Sequence, residues 1–156
     1  MKILGTLFLL LFLACAKPGS EAEKQSITQL IDDESKYAAA ADSAKWAGCW
    51  INTDEARFTF VSDRGTMQAN GWSNIKGFMK DAKPFDLKLK RDNYNFTIGK
   101  DVAYASFDQY DNWGGGEERK TKETRTLRKV DGSWKIVEAN VIAVSSFERP
   151  NRRAHV

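Results

Sequence analysis

The sequence predicts an α+β fold, a cone-shaped roll in which three N-terminal helices pack inside a strongly curved antiparallel sheet. Three observations predict it. Helical periodicity is confined to the first half, and the second half is a run of long alternating segments joined by turn signals. One of those segments switches the parity of its apolar residues near Arg91–Asn93, which marks a β-bulge and a bent strand. Asp131-Gly132 between two such segments is a strong hairpin signal. Long bent strands curl around a helix without closing, and that leaves an internal pocket.

Each element follows in order. Ser26 and Gln29 form a capping box, and Ile27, Leu30, Ile31, Tyr37, Ala38 and Ala41 recur at helical spacing, so a first helix is expected over 26–41. Asp42 or Ser43 caps a second over 43–51, with Trp46 and Trp50 one turn apart. A short strand over 57–61 carries Phe58 and Phe60 on one face, and 63–71 reads as a polar loop. Ser73 caps a third helix over 73–82, striped by Ile75, Phe78 and Met79 and closed by Pro84. Strands then run from Leu87 to Ile98, over 102–110, over 117–130 after Gly114-Gly115-Gly116, and over 134–147.

The first 25 residues are set apart. Met1-Lys2 precedes an apolar run from Ile3 to Ala14. Twelve helical residues span about 18 Å, short of the roughly 30 Å hydrocarbon core, so 1–14 reads as a signal peptide. Phe12-Leu13-Ala14-Cys15 resembles the bacterial lipobox, in which a small residue precedes the cysteine that takes a diacylglycerol. Phe12 stands where Leu is usual, and ordinary cleavage near Ala14 or Ala16 is the alternative. Lipidation at Cys15 would anchor the chain to a membrane. Ala16 does not give the Asp-type retention signal of the inner membrane, so the expected address is the cell envelope, at the outer membrane. The polar stretch 15–25 reads as a lipidated tether, 26–148 as the domain, and 149–156, with three arginines, as a solvated basic tail.

Composition excludes several classes. Lys2 leaves with the leader and takes the formal charge from +3 to +2, too balanced for nucleic acid. The single histidine, His155, lies in the tail, so neither a zinc cluster nor a Ser-His-Asp or Cys-His site is expected. No Gly-rich Lys-Ser/Thr phosphate loop is present, and no cofactor is expected. With Cys15 lipidated, Cys49 is left alone and reads as a small buried hydrophobe. Trp113, beside three glycines, reads as an exposed loop tip suited to a partner or membrane surface.

From Glu123-Thr124-Arg125 through Lys129-Val130-Asp131-Gly132-Ser133-Trp134-Lys135-Ile136-Val137, the chain resembles the nuclear transport factor 2-like superfamily. That superfamily includes SnoaL-like cyclases and ketosteroid isomerase. The resemblance covers about 26–147. Gly71-Trp72 before Ile75, Tyr94 and Phe107-Asp108-Gln109 resemble a set of small exported bacterial members. It implies a cystatin-like cone, and it implies that Arg125 points into the pocket, where a buried guanidinium needs an acid or a ligand carboxylate.

On the last strand Trp134, Ile136, Glu138 and Asn140 share a parity, so Glu138 and Asn140 are expected beside Ile136 on the pocket wall. Many relatives have His where Asn140 stands, and Asn keeps the hydrogen bonding without a proton shuttle. Trp50 and Trp72 are candidate wall residues and Tyr104 a candidate hydroxyl donor. Asp108 is positioned to complete an acid–Arg–acid row. Asp54 lies near where ketosteroid isomerase places its base, although its surroundings are an equally good turn signal. Arg125 paired with Glu138 or Asp108 simply to hold the sheet is the plainer alternative.

Three functions compete. The first is a lipid-tethered domain that binds a small apolar or anionic molecule without catalysis. The second is a cofactor-independent isomerase, cyclase or hydrolase with Asp54 or Asp108 as base. The third is a homodimer paired through the outer sheet face at Val137, Val141 and Ala143.

Overall fold

The computed structural model describes residues 19–112 and 118–144. The leader, Cys15, Trp113, the Gly114–Gly116 stretch, the tail and the last residues expected in the final strand lie outside them. Helix α1 spans Glu21–Ala39 and α2 spans Ser43–Cys49. The first helix therefore begins five residues before the expected 26, inside the stretch read as tether. Ser20-Glu21-Ala22-Glu23 is an earlier copy of the Ser-x-x-Glu pattern, and the Ser20 hydroxyl accepts from the Glu23 N–H. Gln29 instead donates to Asp33 on the exposed face. Glu23 itself is buried and takes Trp134 Nε1 (2.6 Å) and Lys129 Nζ (2.6 Å), which ties the helix start to the far hairpin.

Strand β1 (Arg57–Ser62) turns into β2 (Gly65–Asn70), where a polar loop was expected. The β2 strand is an edge strand exposed at all but Ala69, so it carries little apolar alternation. Helix α3 (Trp72–Ile75) tightens into a 3₁₀ turn over Lys76–Met79 and ends before the expected 82. Its cap is Gly71 rather than Ser73. At φ 81° Gly71 packs its backbone on Asp54, where a Cβ would meet Asp54 Oδ1 at 3.4 Å, and its N–H reaches the Ala56 carbonyl.

The remaining strands are β3 (Leu89–Ile98), β4 (Val102–Asp111), β5 (Arg119–Val130) and β6 (Ser133–Ala143). The expected bulge lies in β3 between Asp92 and Asn95, with Asn93 at φ 54°. The β5–β6 turn uses Asp131 and Gly132, both at positive φ, as an Asp-Gly hairpin requires.

The six strands run in the order β2-β1-β6-β5-β4-β3, in one curved, unclosed sheet. It is mixed rather than wholly antiparallel, because β1 pairs parallel with β6. A second bulge lies in β6: Leu127 faces Ile136 and Thr126 faces Glu138, which leaves Val137 unopposed. The concave face holds the core. There Ile27 and Ile31 of α1 meet Leu127 and Ile136, all fully buried.

Candidate functional site

The bulge at Val137 decides which side chains reach the interior. Before it, Trp134 and Ile136 point inward, and after it Ala139, Val141 and Ala143 do. Glu138 and Asn140 are therefore turned to the convex face, contrary to the simple alternation. There Glu138 accepts from the Thr126 hydroxyl at 3.3 Å and Asn140 donates to Thr124 Oγ1 at 3.2 Å. The same shift moves Val141 and Ala143 out of the expected outer patch and into the interior, leaving Val137 half-buried at the bulge.

A cavity of about 460 Å³ opens between α1 and the concave face. Its wall is mostly apolar, from Trp46 and Trp50 of α2 and its end to Phe58 and Phe60 of β1. Met67, Phe78 and Met79 stand at its lip, and Phe78 packs edge-on against Phe58. Apart from Lys83, the polar groups come from α1 and the inward rows of β4 and β5: Glu34, Ser35, Gln109, Arg119, Glu123 and Arg125.

These polar groups form two hydrogen-bonded chains. In the first, Arg91 donates to Gln109 (2.7 Å), Asp32 (2.6 Å) and Ser35 Oγ (2.6 Å). Ser35 and Trp46 Nε1 both donate to the Glu34 carboxylate, and Gln109 passes on to Asp111, which holds Arg119 at 2.7 Å. In the second, the Thr121 hydroxyl and Arg125 Nη2 each donate to Glu123 at 2.8 Å, while Arg125 Nη1 donates to the Thr124 carbonyl. Arg91 and Arg125 both lie over the Phe107 ring, at 5.3 and 5.6 Å. Two residues of the cavity wall carry a buried donor that has no partner among the described residues: Trp50 Nε1 and Arg125 Nε. Burial pushes the nearby Tyr94 hydroxyl up to about 12, and its oxygen is also unpartnered.

Of the site residues expected from sequence, Arg125 and Trp50 are on the wall. Trp72 lies behind it, stacked on Trp46 at 5.5 Å. Tyr104 is exposed on the convex face. Asp108 is also on that face, bound by Asn93 (3.0 Å) and Lys122 (3.0 Å) with Lys120 beside it. Those hydrogen bonds hold its carboxyl below the usual Asp value. Asp54 is exposed in the turn after α2, and its carbonyl is capped by Arg57. Neither aspartate is positioned as a base for the cavity, and Arg125 pairs with Glu123 rather than with Glu138 or Asp108.

The cavity's own carboxylates, Glu34 and Glu123, are absent from the sequence-based expectation. Both had a signal. Glu34 falls on the buried stripe Ile27, Ile31, Glu34, Ser35, Ala38, where an acid needs a reason. Glu123 is two residues from Arg125 on the same strand and so shares its face. Cys49 is buried and free, and burial, with Glu34 close by, pushes its thiol up to about 12, far from a reactive thiolate. Among the described residues no three of His, Cys, Asp and Glu gather as metal ligands.

No protein-family model matches the chain, and no curated protein sequence matches it. Solved structures do match. A cystatin-like fold protein from Burkholderia xenovorans superposes with a TM-score of 0.64 at 15% identity, over 81% of this chain and 95% of its own. A nuclear transport factor 2-like superfamily protein from Salmonella enterica reaches 0.63 at 24% identity, over 77% and 89%. The association domain of Caenorhabditis elegans calcium/calmodulin-dependent kinase II reaches 0.60 at 17%, over 77% and 95%. The chain has the nuclear transport factor 2-like, cystatin-like fold that its hairpin residues resemble. Identities this low speak for the fold alone.

Proposed function

We propose that the domain is an exported, lipid-anchored binding domain for a small, mostly apolar molecule that carries a hydrogen-bond-accepting oxygen. The observation that carries the reading is a cavity of about 460 Å³ with an apolar wall and two buried donors, Trp50 Nε1 and Arg125 Nε, left without partners. That volume is within the range of small-molecule pockets. An unmet buried N–H costs about 1–3 kcal/mol, and an acceptor on a bound molecule recovers part of it. An apolar body buried against Trp46, Trp50, Phe58 and Phe60 supplies the remainder of the affinity. Glu34 and Glu123 are occupied by hydrogen bonds from their neighbours, which favours holding a molecule over proton transfer.

Trp50→Phe tests the binding arm, because it removes one donor and keeps the ring. With 1-anilinonaphthalene-8-sulfonate as probe, affinity should fall about fivefold. An unchanged affinity would remove Trp50 Nε1 from the reading. The export and anchoring arm rests on the apolar run from Ile3 to Ala14 and on Cys15. Radiolabelled palmitate should enter the expressed chain and be lost in Cys15→Ala. Incorporation that survives the substitution would contradict it.

A further inference from the structure

The lip of the cavity is unusual for a surface meant only for water. Met67 of β2 is 48% exposed and Phe78 of the 3₁₀ turn 41%, and both also line the cavity. Large apolar side chains grouped at an opening mark an interaction surface more often than a random exposure. The segment that carries Phe78 reads Lys76-Gly77-Phe78-Met79-Lys80-Asp81-Ala82-Lys83-Pro84. Lys76, Lys80 and Lys83 are exposed, and none of them forms an ion pair among the described residues. Asp81 is the one acid in that stretch. Exposed aromatic and thioether side chains flanked by lysines are the pattern of a segment that lies in a bilayer interface, with its apolar tips at the acyl boundary and its ammonium groups on lipid phosphates.

The convex face is different. It too carries exposed apolar side chains, Val102, Tyr104, Val130 and Ile142, but its polar groups bond to each other: Lys120 and Lys122 share Asp108, Glu138 bonds Thr126, and Asn140 bonds Thr124. The two faces are thus not equivalent toward an anionic surface. The lip carries three lysines without ion pairs among the described residues, against the single acid Asp81, around an apolar tip.

We propose that the cavity mouth docks on an anionic lipid bilayer. Met67 and Phe78 enter the headgroup boundary, Lys76, Lys80 and Lys83 bind lipid phosphates, and the cavity opens toward the membrane. An apolar molecule then passes between bilayer and cavity without crossing water. Docking of the mouth does not require the ligand reading to hold, and it is tested separately from it.

The test is hydrogen–deuterium exchange on the full chain with vesicles of phosphatidylcholine alone, and with vesicles of phosphatidylcholine and phosphatidylglycerol in equal parts. An anchored chain sits on both, so the local pattern is what counts. Amides over 65–70 and 76–83 should exchange about tenfold more slowly on the anionic vesicles only, with strands 89–98 and 102–111 unchanged. The Lys76→Gln, Lys80→Gln, Lys83→Gln triple variant should lose that protection while keeping its tryptophan emission. Equal protection on both vesicles, protection on the convex strands instead, or a triple variant that behaves as wild type would each overturn the proposal. So would protection of 76–83 that grows with protein concentration in the absence of vesicles, which would assign the lip to a second copy of the chain.

Discussion

The concave and convex faces of the sheet each hold an acid–base cluster, built on the same strands and opposite in character. Inside, Glu123 and Arg125 pair at 2.8 Å with side chains only 2% and 5% exposed. Outside, Asp108 takes Lys122 at 3.0 Å with the lysine 63% exposed. Lys122 and Glu123 are adjacent in the chain, so one step along a strand separates a pair buried at both ends from one whose lysine reaches solvent. The cost of breaking a pair therefore depends on facing rather than on charge. Facing in turn is set by two bulges, one in β3 and one in β6.

That contrast can be broken at its sharpest point, where Ala139 and Asn140 sit side by side on β6. Ala139 is 1% exposed and faces inward, and Asn140 faces the convex side. Ala139→Asp buries an unpaired charge and should unfold the domain, whereas Asn140→Asp should move stability by about 0.5 kcal/mol or less. Urea unfolding of the two variants measures both, and equal effects would mean that the β6 bulge lies elsewhere. Next in size, Arg125→Ala leaves Glu123 buried without its partner and should cost about 3–5 kcal/mol by the same measurement. Exchanging both Glu123 and Arg125 for apolar residues should cost much less than that single change.

Glu23 sharpens the picture at the other end of the cone. Its two hydrogen bonds, from Lys129 and Trp134, hold its carboxyl below the ordinary value of 4.5. Stability from this group is fully present above that value and is lost as pH falls through the lowered one. Glu23→Ala should cost about 1–3 kcal/mol at neutral pH, less the further the pH drops below 4.5. The smallest effect is expected outside. Asp108→Asn should cost no more than about 1 kcal/mol at neutral pH. Since the Asp108 value is also lowered, its difference from wild type should vanish as pH falls below 3.8.

The order of the elements and the bend in β3 were legible in the sequence, because helical and strand periods differ and a parity switch has one physical meaning. The Asp131-Gly132 turn was legible because few dipeptides accept two successive positive φ values. The start of α1 was misplaced because two Ser-x-x-polar patterns compete, and only burial of Glu23 against Trp134 decides between them. The β6 bulge left no mark: Trp134, Ile136, Glu138 and Asn140 alternate without a break, so the sequence carried Glu138 and Asn140 to the wrong face. Strand β2 was missed because an exposed edge strand needs no apolar alternation. Within the site, Arg125 and Trp50 were found from motif and spacing. Glu123 and Glu34 are acids and so run against the pattern of a buried face, although each shares that face with interior residues, Arg125 and Ile31.

If the interior of the cone is the proposed binding cavity, filling it abolishes binding. Ala38 of α1 lies on its wall, one turn from Glu34, and Ala38→Phe fills the space from the helix side. Fluorescence titration with 1-anilinonaphthalene-8-sulfonate should give one saturable site in the wild type and none in Ala38→Phe, with Tyr104→Ala on the convex face unchanged. A probe that binds Ala38→Phe as tightly as wild type, or that loses its site in Tyr104→Ala, would contradict the account.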